Sequence, residues 1–265
     1  MMTSEMMVLL TGKFLITILI LVRITSFILT GPLFKNEAIP SIMKIMIGVI
    51  FALTVSSAFW YEQPPITFHL WGILLLVMKE FMIGAIIGFS CNLVFWGARF
   101  AGGVVDFNLG FQASMVFASQ ESPTLFGELY EMMVLMIFIA INGHHQMLEG
   151  LFLSFRSVPL TTFEFTNSTF DLIVKLISDV TIIAVKLSAP ILIAEFLTNF
   201  GLALLARIAP QTNVFMMSFQ IKIAVGLLVA FATISLFALF SKRAFDNFDV
   251  ELIKLIQSLN PIRTT

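Results

Sequence analysis

Charge is scarce in this chain. Only 12% of its 265 residues are Asp, Glu, Lys or Arg, about half the ~25% of a typical soluble domain. So few charged side chains cannot coat a water-soluble globule of this length. The charge that exists is balanced. Fifteen basic residues against 16 acidic ones leave a net charge of −1, without the basic excess of a nucleic-acid surface. Cysteine is almost missing. Cys91 stands alone, which excludes an internal disulfide and makes this residue a small core side chain in an apolar block. The sequence has no GxSxG, no P-loop and no GxGxxG in a strand–helix setting. A nucleotide-driven pump and the common hydrolase plans therefore have no footing.

What remains is apolar. Hydrophobic residues make up 58% of the chain, and mean hydropathy is +1.00. They gather into blocks near the ~20 residues that cross a bilayer. The first runs from about Phe14 to Leu29 and stops at Gly31-Pro32. It has no small-residue cleavage site, so it is expected to persist as a helix rather than act as a signal peptide. The second spans about Ile42 to Trp60, before Pro64-Pro65. The third, about Phe68 to Phe100, is interrupted only by Lys79-Glu80. At ~1.5 Å per residue it reaches ~50 Å, so a tilted or bent helix or a hairpin is expected. Gly84 and Gly88, then Ala98 and Gly102, stand four apart, a spacing that lets helices approach closely.

From about Ala101 to Leu125 glycines, polar residues and bulky apolar side chains mix. The pattern is neither a regular helix nor a simple hydrophilic loop. Gly102, Gly103 and Gly110 suggest a pliant backbone, and Phe111, Met115, Val116 and Phe117 need something to cover them. A fourth block, Leu125 to Ile141, breaks at Asn142-Gly143-His144-His145 and continues from Met147 to Phe155. Residues 156–170 are polar and form the best linker. The fifth block, about Leu172 to Leu205, contains Pro190. The sixth runs from about Val214 to Phe240. In the tail from Ser241, Phe245, Phe248, Leu252, Leu255, Ile256 and Leu259 recur at helical spacing. The fold class read from this pattern is all-α: a multi-helix integral membrane protein of long bent helices and hairpins.

Arg23, Lys79, Glu80, Lys175, Asp179, Lys186, Glu195 and Lys222 lie inside the apolar stretches. Each costs ~2.5–3.5 kcal/mol at the centre of a membrane helix, so each should face protein or water. At ~100° per residue, Lys175, Asp179 and Lys186 fall within ~40° and make one polar stripe. Asp179, four residues after Lys175, is near enough to pair with it. Three readings fit: an ion-coupling path, a contact face between subunits, or helices stacked on one another outside lipid. Lysines outnumber carboxylates in the stripe, which argues against a proton relay. His144, His145 and Glu149 are the only group resembling a metal site, and they lack the ligand order and number of one. No enzyme, cofactor or metal is expected.

Several stretches together resemble the FliR/SctT family of the type III export apparatus. Arg23 with Gly31-Pro32-Leu33-Phe34, Ile39-Pro40 and Lys44 matches its N-terminal pattern. Glu80, Gly84, Gly88, Ala101-Gly102 and Asp106 to Gly110 match its central glycine-rich region, and Asn142-Gly143-His144 its next turn. Most specific is Leu205-Ala206-Arg207-Ile208-Ala209-Pro210-Gln211-Thr212-Asn213-Val214-Phe215, followed by Lys222 and Gly226. The motif order agrees over about residues 10–240. The resemblance implies a FliP-like part (1–170, with a plug loop at about 102–123) fused to a FliQ-like helical hairpin (171–240) and an amphipathic tail (241–265). It implies a helical hetero-oligomer with FliP and FliQ, with FlhB and FlhA nearby, forming the channel for unfolded export substrates. It places the protein in the bacterial inner membrane at the flagellar basal body. It assigns the plug to Gly110, Phe111, Met115, Val116 and Phe117. The hairpin-tip turn, at the cytoplasmic mouth, comprises Arg207, Pro210, Gln211 and Asn213. Lys175, Asp179 and Lys186 fall at a subunit interface. The same resemblance fits an injectisome subunit. A secondary transporter or channel for small solutes would share the broken helices but would stand without FliP and FliQ.

Overall fold

The computed structural model describes residues 2–34, 40–59, 70–110, 124–160, 162–163, 165–211 and 213–260. These residues form α-helices and no strand. They are α1 (Met2–Thr30), α2 (Ser41–Phe59), α3 (Leu70–Leu109), α4 (Leu125–Ala140), α5 (Gly143–Ser157), α6 (Asn167–Ile208), α7 (Val214–Ala232) and α8 (Ile234–Ser258), with a 3-10 turn at Pro32–Phe34. Four stretches among them are long and apolar enough to cross a membrane, Gly12–Thr30, Ser41–Phe59, Trp71–Leu109 and Asn167–Ile208. The helices α4 with α5, and α7 with α8, are bent pairs that raise the number to six if each is one span. The chain is a multi-pass, all-helical membrane protein.

The helices follow the apolar blocks with two corrections. Of the alternatives for the third block, the structure takes the single helix, α3, of 40 residues. It continues through Gly102 and Gly103 to Leu109, so the irregular stretch expected from about Gly102 begins only at Gly110. The physical reason is packing: Ala101, Val105 and Leu109 are fully buried on one face, which outweighs the weak helix propensity of the glycine pair. The sixth block is broken. A bend of 60° separates α7 from α8, at Thr233, whose hydroxyl donates to the Val229 carbonyl at 2.7 Å. Pro190, by contrast, stays inside a continuous α6 of 42 residues. The turn expected after the fourth block is present, with Asn142 at φ 59°, a left-handed conformation that Asn tolerates better than most residues.

Two compact units arise, each from separate stretches of chain. The first holds residues 1–93, 143–176 and 247–265, the second residues 94–142 and 177–246. In the first unit α1 packs on α2 and α3 through small residues. A Cβ on Gly84 would fall on the Arg23 carbonyl oxygen, and one on Gly88 would come within 2.7 Å of the Phe27 carbonyl oxygen. The four-residue glycine spacing therefore serves close helix approach, as its pattern indicated. The Ser26 hydroxyl donates to the Phe81 carbonyl at 2.6 Å across this contact.

At the centre of that unit lies Arg23, with 0% of its surface exposed. Its Nε donates to Glu80 Oε2 at 2.6 Å. Its Nη1 donates to the Ser154 carbonyl at 3.0 Å, and its Nη2 to the Val158 carbonyl at 3.0 Å. The guanidinium carbon lies 4.4 Å from the centre of the Phe155 ring. The cation thus sits on the carbonyl-rich end of α5, where the helix dipole favours it, and on an aromatic face. The tail closes the unit. Leu255, Ile256 and Leu259 are fully buried, Thr169 bonds the Ser258 carbonyl at 3.2 Å, and Asn260 Nδ2 donates to the Ser157 carbonyl at 2.5 Å.

Removing one partner of a buried ion pair strands the other. Glu80→Ala is predicted to destabilise the chain by about 3–5 kcal/mol, seen as lost accumulation of folded protein in membranes. The double change Arg23→Met with Glu80→Leu should accumulate better than Glu80→Ala alone, because it removes both charges. A single variant as stable as the parent would contradict this placement.

Candidate functional site: the stem of the 111–123 segment

In the second unit, α3 ends and α4 begins around one buried carboxylate. Asp106 is 0% exposed. Its Oδ2 accepts from the Phe126 amide at 3.0 Å and the Gly127 amide at 3.3 Å, and its Oδ1 from Phe126 at 3.2 Å. These amides belong to the first turn of α4, whose donors have no partner within the helix. Thr124, the residue before α4, makes no side-chain cap. Asp106 caps α4 from the last turn of α3 instead, its carboxyl oxygens accepting from amides that the helix leaves free. The backbones are close here as well: a Cβ on Gly102 would fall on the backbone of Phe126 and Gly127. Arg99 and Glu131 pair at 2.5 Å on the outer side of the same contact.

The chain therefore leaves and returns at one pinned place. Leu109, fully buried, fills the space beside Gly226 of α7, where an added Cβ would meet its Cδ2 at 2.7 Å. Gly110 then takes φ +83°, a left-handed helix end that costs glycine nothing. Gly110 is the only expected plug residue with a described placement. Phe111, Met115, Val116 and Phe117 lie outside the described residues.

The other expected site residues are spread over α6, α7 and the turn between them. Arg207 is exposed in the last turn of α6, and Pro210 and Gln211 are exposed in the turn itself. Asn213 caps α7, its side chain accepting from the Met216 amide at 3.3 Å. Thr212 lies outside the described residues. Lys175, Asp179 and Lys186 are all exposed along α6. Lys175 bonds Glu251 at 3.0 Å, a carboxylate it shares with Lys254. That pairing was hidden from the sequence, since 76 residues separate the two. Arg23 and Glu80, by contrast, pair with each other within the chain, while the second oxygen of Glu80 is buried without a hydrogen bond. Glu195 is 1% exposed, and neither carboxylate oxygen has a hydrogen bond. The rings of His144 and His145 lie 4.2 Å apart, and among the described residues no three His, Cys, Asp or Glu gather as metal ligands.

Helices of bilayer length, with Arg23, Glu80, Asp106 and Glu195 buried among them, define a multi-pass membrane protein. Residues 14–248 match the family of bacterial export proteins, family 1, and the chain belongs to that family. It is 31% identical over 238 residues to the flagellar biosynthetic protein FliR of Bacillus subtilis, covering 86% of this chain and 90% of the relative. It is 34% identical over 227 residues to the Yop proteins translocation protein T of Yersinia pestis, covering 83% and 82%. FliR of Escherichia coli K12 is 24% identical over 243 residues, covering 90% and 92%. The chain is thus a component of the type III export apparatus.

Removing a cap carboxylate costs about 0.5–2 kcal/mol. Asp106→Ala should speed hydrogen exchange at the Phe126 and Gly127 amides, and Asp106→Asn, which keeps an acceptor, should speed it less. Equal protection in all three proteins would show that the cap does not hold the stem.

Proposed function

We propose that this chain is a core subunit of the flagellar type III protein export gate. With FliP and FliQ it forms the inner-membrane channel through which unfolded flagellar substrates leave the cytoplasm, with FlhB and FlhA beside it at the basal body. It is a structural and gating component, not an enzyme. The observation that carries this reading is the match across 90% of a flagellar relative. The 34% identity to a Yop translocation protein favours an injectisome subunit as the second reading. Loss of the gene separates them: it should abolish flagellar filament secretion and motility, and intact motility would overturn the flagellar assignment.

Within this reading residues 1–170 form the FliP-like part and 171–240 the FliQ-like hairpin, and Gly110, Phe111, Met115, Val116 and Phe117 close the channel at rest. A pore wide enough for an unfolded chain leaks ions unless apolar side chains exclude water, and Met adapts to irregular walls. The stem supports this role, because a plug must move while its ends stay fixed. Deleting Gly110–Phe117 in cells that assemble the complex should raise permeability to small dyes. Cells that assemble normal amounts and stay tight would reduce the segment to packing.

The exposed turn from Arg207 to Asn213 is the cytoplasmic docking point for FlhB. Arg207→Glu should lower export while the complex still assembles, and normal motility in such cells would count against docking there.

A further inference from the structure

In the second unit, α7 is the helix that meets the last residue of the stem. Gly226 is buried, and a Cβ placed on it would come within 2.7 Å of Leu109 Cδ2 and 3.2 Å of its Cδ1. Leu109 is itself fully buried, and the next residue, Gly110, carries the left-handed turn at φ +83°. The Leu109 side chain is therefore seated against bare backbone of α7. A side chain at position 226 displaces it, since packed interiors leave no slack of that size.

One turn beyond that seat the packing changes. A cavity of about 220 Å³ lies beside α7, lined by Leu227, Ala230 and Phe231 of α7, Leu187 of α6 and Phe237 of α8. A cavity of ~150 Å³ already accepts a benzene ring, so whole side chains have room to move here. The helix also ends there. Its continuation is bent by 60° at Thr233, whose hydroxyl donates to the Val229 carbonyl at 2.7 Å, a back-bond that often bends helices. Beyond the bend α8 is held by aromatic contacts, Phe237 with Tyr130 at 4.6 Å and Phe245 with Phe138 at 5.2 Å between ring centres. So α7 has a held neighbour at its bent end and open space along its flank, whereas the seat of Leu109 is closed.

We infer that α7 sets the resting position of the stem: Gly226 is the positioning residue that seats Leu109, and the cavity is the space into which α7 tilts, about the Thr233 bend, when the stem shifts. The inference rests on the proposed gating role of the segment that follows the stem. It makes α7, and not the stem alone, part of the closing device.

The test uses the complete complex in membranes and reads assembly, dye permeability at rest and export separately. Gly226→Leu should push Leu109 from its seat and raise resting permeability by about tenfold. Leu109→Ala in the same chain returns the space and should restore tightness. Ala230→Phe fills the cavity and should act in the opposite sense, leaving the membrane tight and lowering export by about fivefold or more. A merely structural role would lower assembly in both and separate neither readout. Where Gly226→Leu does not accumulate, Gly226→Ala with and without Leu109→Ala gives the same reading. Gly226 variants that assemble and stay tight, a leak that Leu109→Ala does not relieve, or an assembled Ala230→Phe complex that exports like the parent would each overturn the inference. A complex that is equally tight without Gly110–Phe117 would overturn the gating reading and the inference with it.

Discussion

A guanidinium sealed away from water determines how the first unit is built. Arg23 has 0% exposure, and charge in such a setting is tolerated only when it is paired and hydrogen-bonded. The partners come from three places in the sequence: Glu80 of α3, and the Ser154 and Val158 carbonyls at the end of α5. No alternative register of α1 keeps all of them, because moving Arg23 by one residue turns it about 100° around the helix. The close approach at Gly84 and Gly88 follows from the same register, since their missing side chains admit the Arg23 and Phe27 carbonyls. The second unit repeats the principle with opposite sign. Asp106 is buried against two amides of α4, and this fixes both ends of the segment proposed as a plug. Each unit is thus anchored by a charge that bonds helix-end backbone groups remote in sequence.

What the sequence made legible was decided by short-range physics. Block length gave the spans, and the helical recurrence of Leu252, Leu255, Ile256 and Leu259 marked a tail face that is indeed buried. Four-residue small-residue spacing marked the close helix contacts. The failures came where tertiary packing overrides local pattern. Gly102-Gly103 read as loop, yet both lie within α3 because the flanking face is buried. Thr233 carries no sequence mark of a break, and the α7–α8 bend was missed. Arg23 and Glu80 stand out in the sequence as charges inside apolar blocks, but a separation of 57 positions hides their pairing. Asp106 appeared only as part of a glycine-rich stretch. Nothing local signals that it caps a helix 20 residues away.

The surface argues for incompleteness. Ile42, Met46, Ile50 and Leu53 line one exposed face of α2, at 59% exposure or more, and Ile193, Phe196 and Phe200 do the same on α6. Lipid can cover apolar side chains, but it cannot neutralise the polar groups among them. Asp179 and Lys186 stand exposed on the same α6, and Glu195 lies buried with both oxygens unbonded. This mixed surface supports the reading that other protein covers α6. In the proposed export gate that protein is the other subunits.

The central claim is therefore that the chain is stable only as part of a hetero-oligomer. Expression alone and together with FliP-like and FliQ-like subunits, followed by mild detergent extraction and mass measurement of the extracted particles, tests it most directly. The account predicts one discrete complex in the second case and aggregated or degraded chain in the first. A monodisperse, stable, solitary monomer would contradict it.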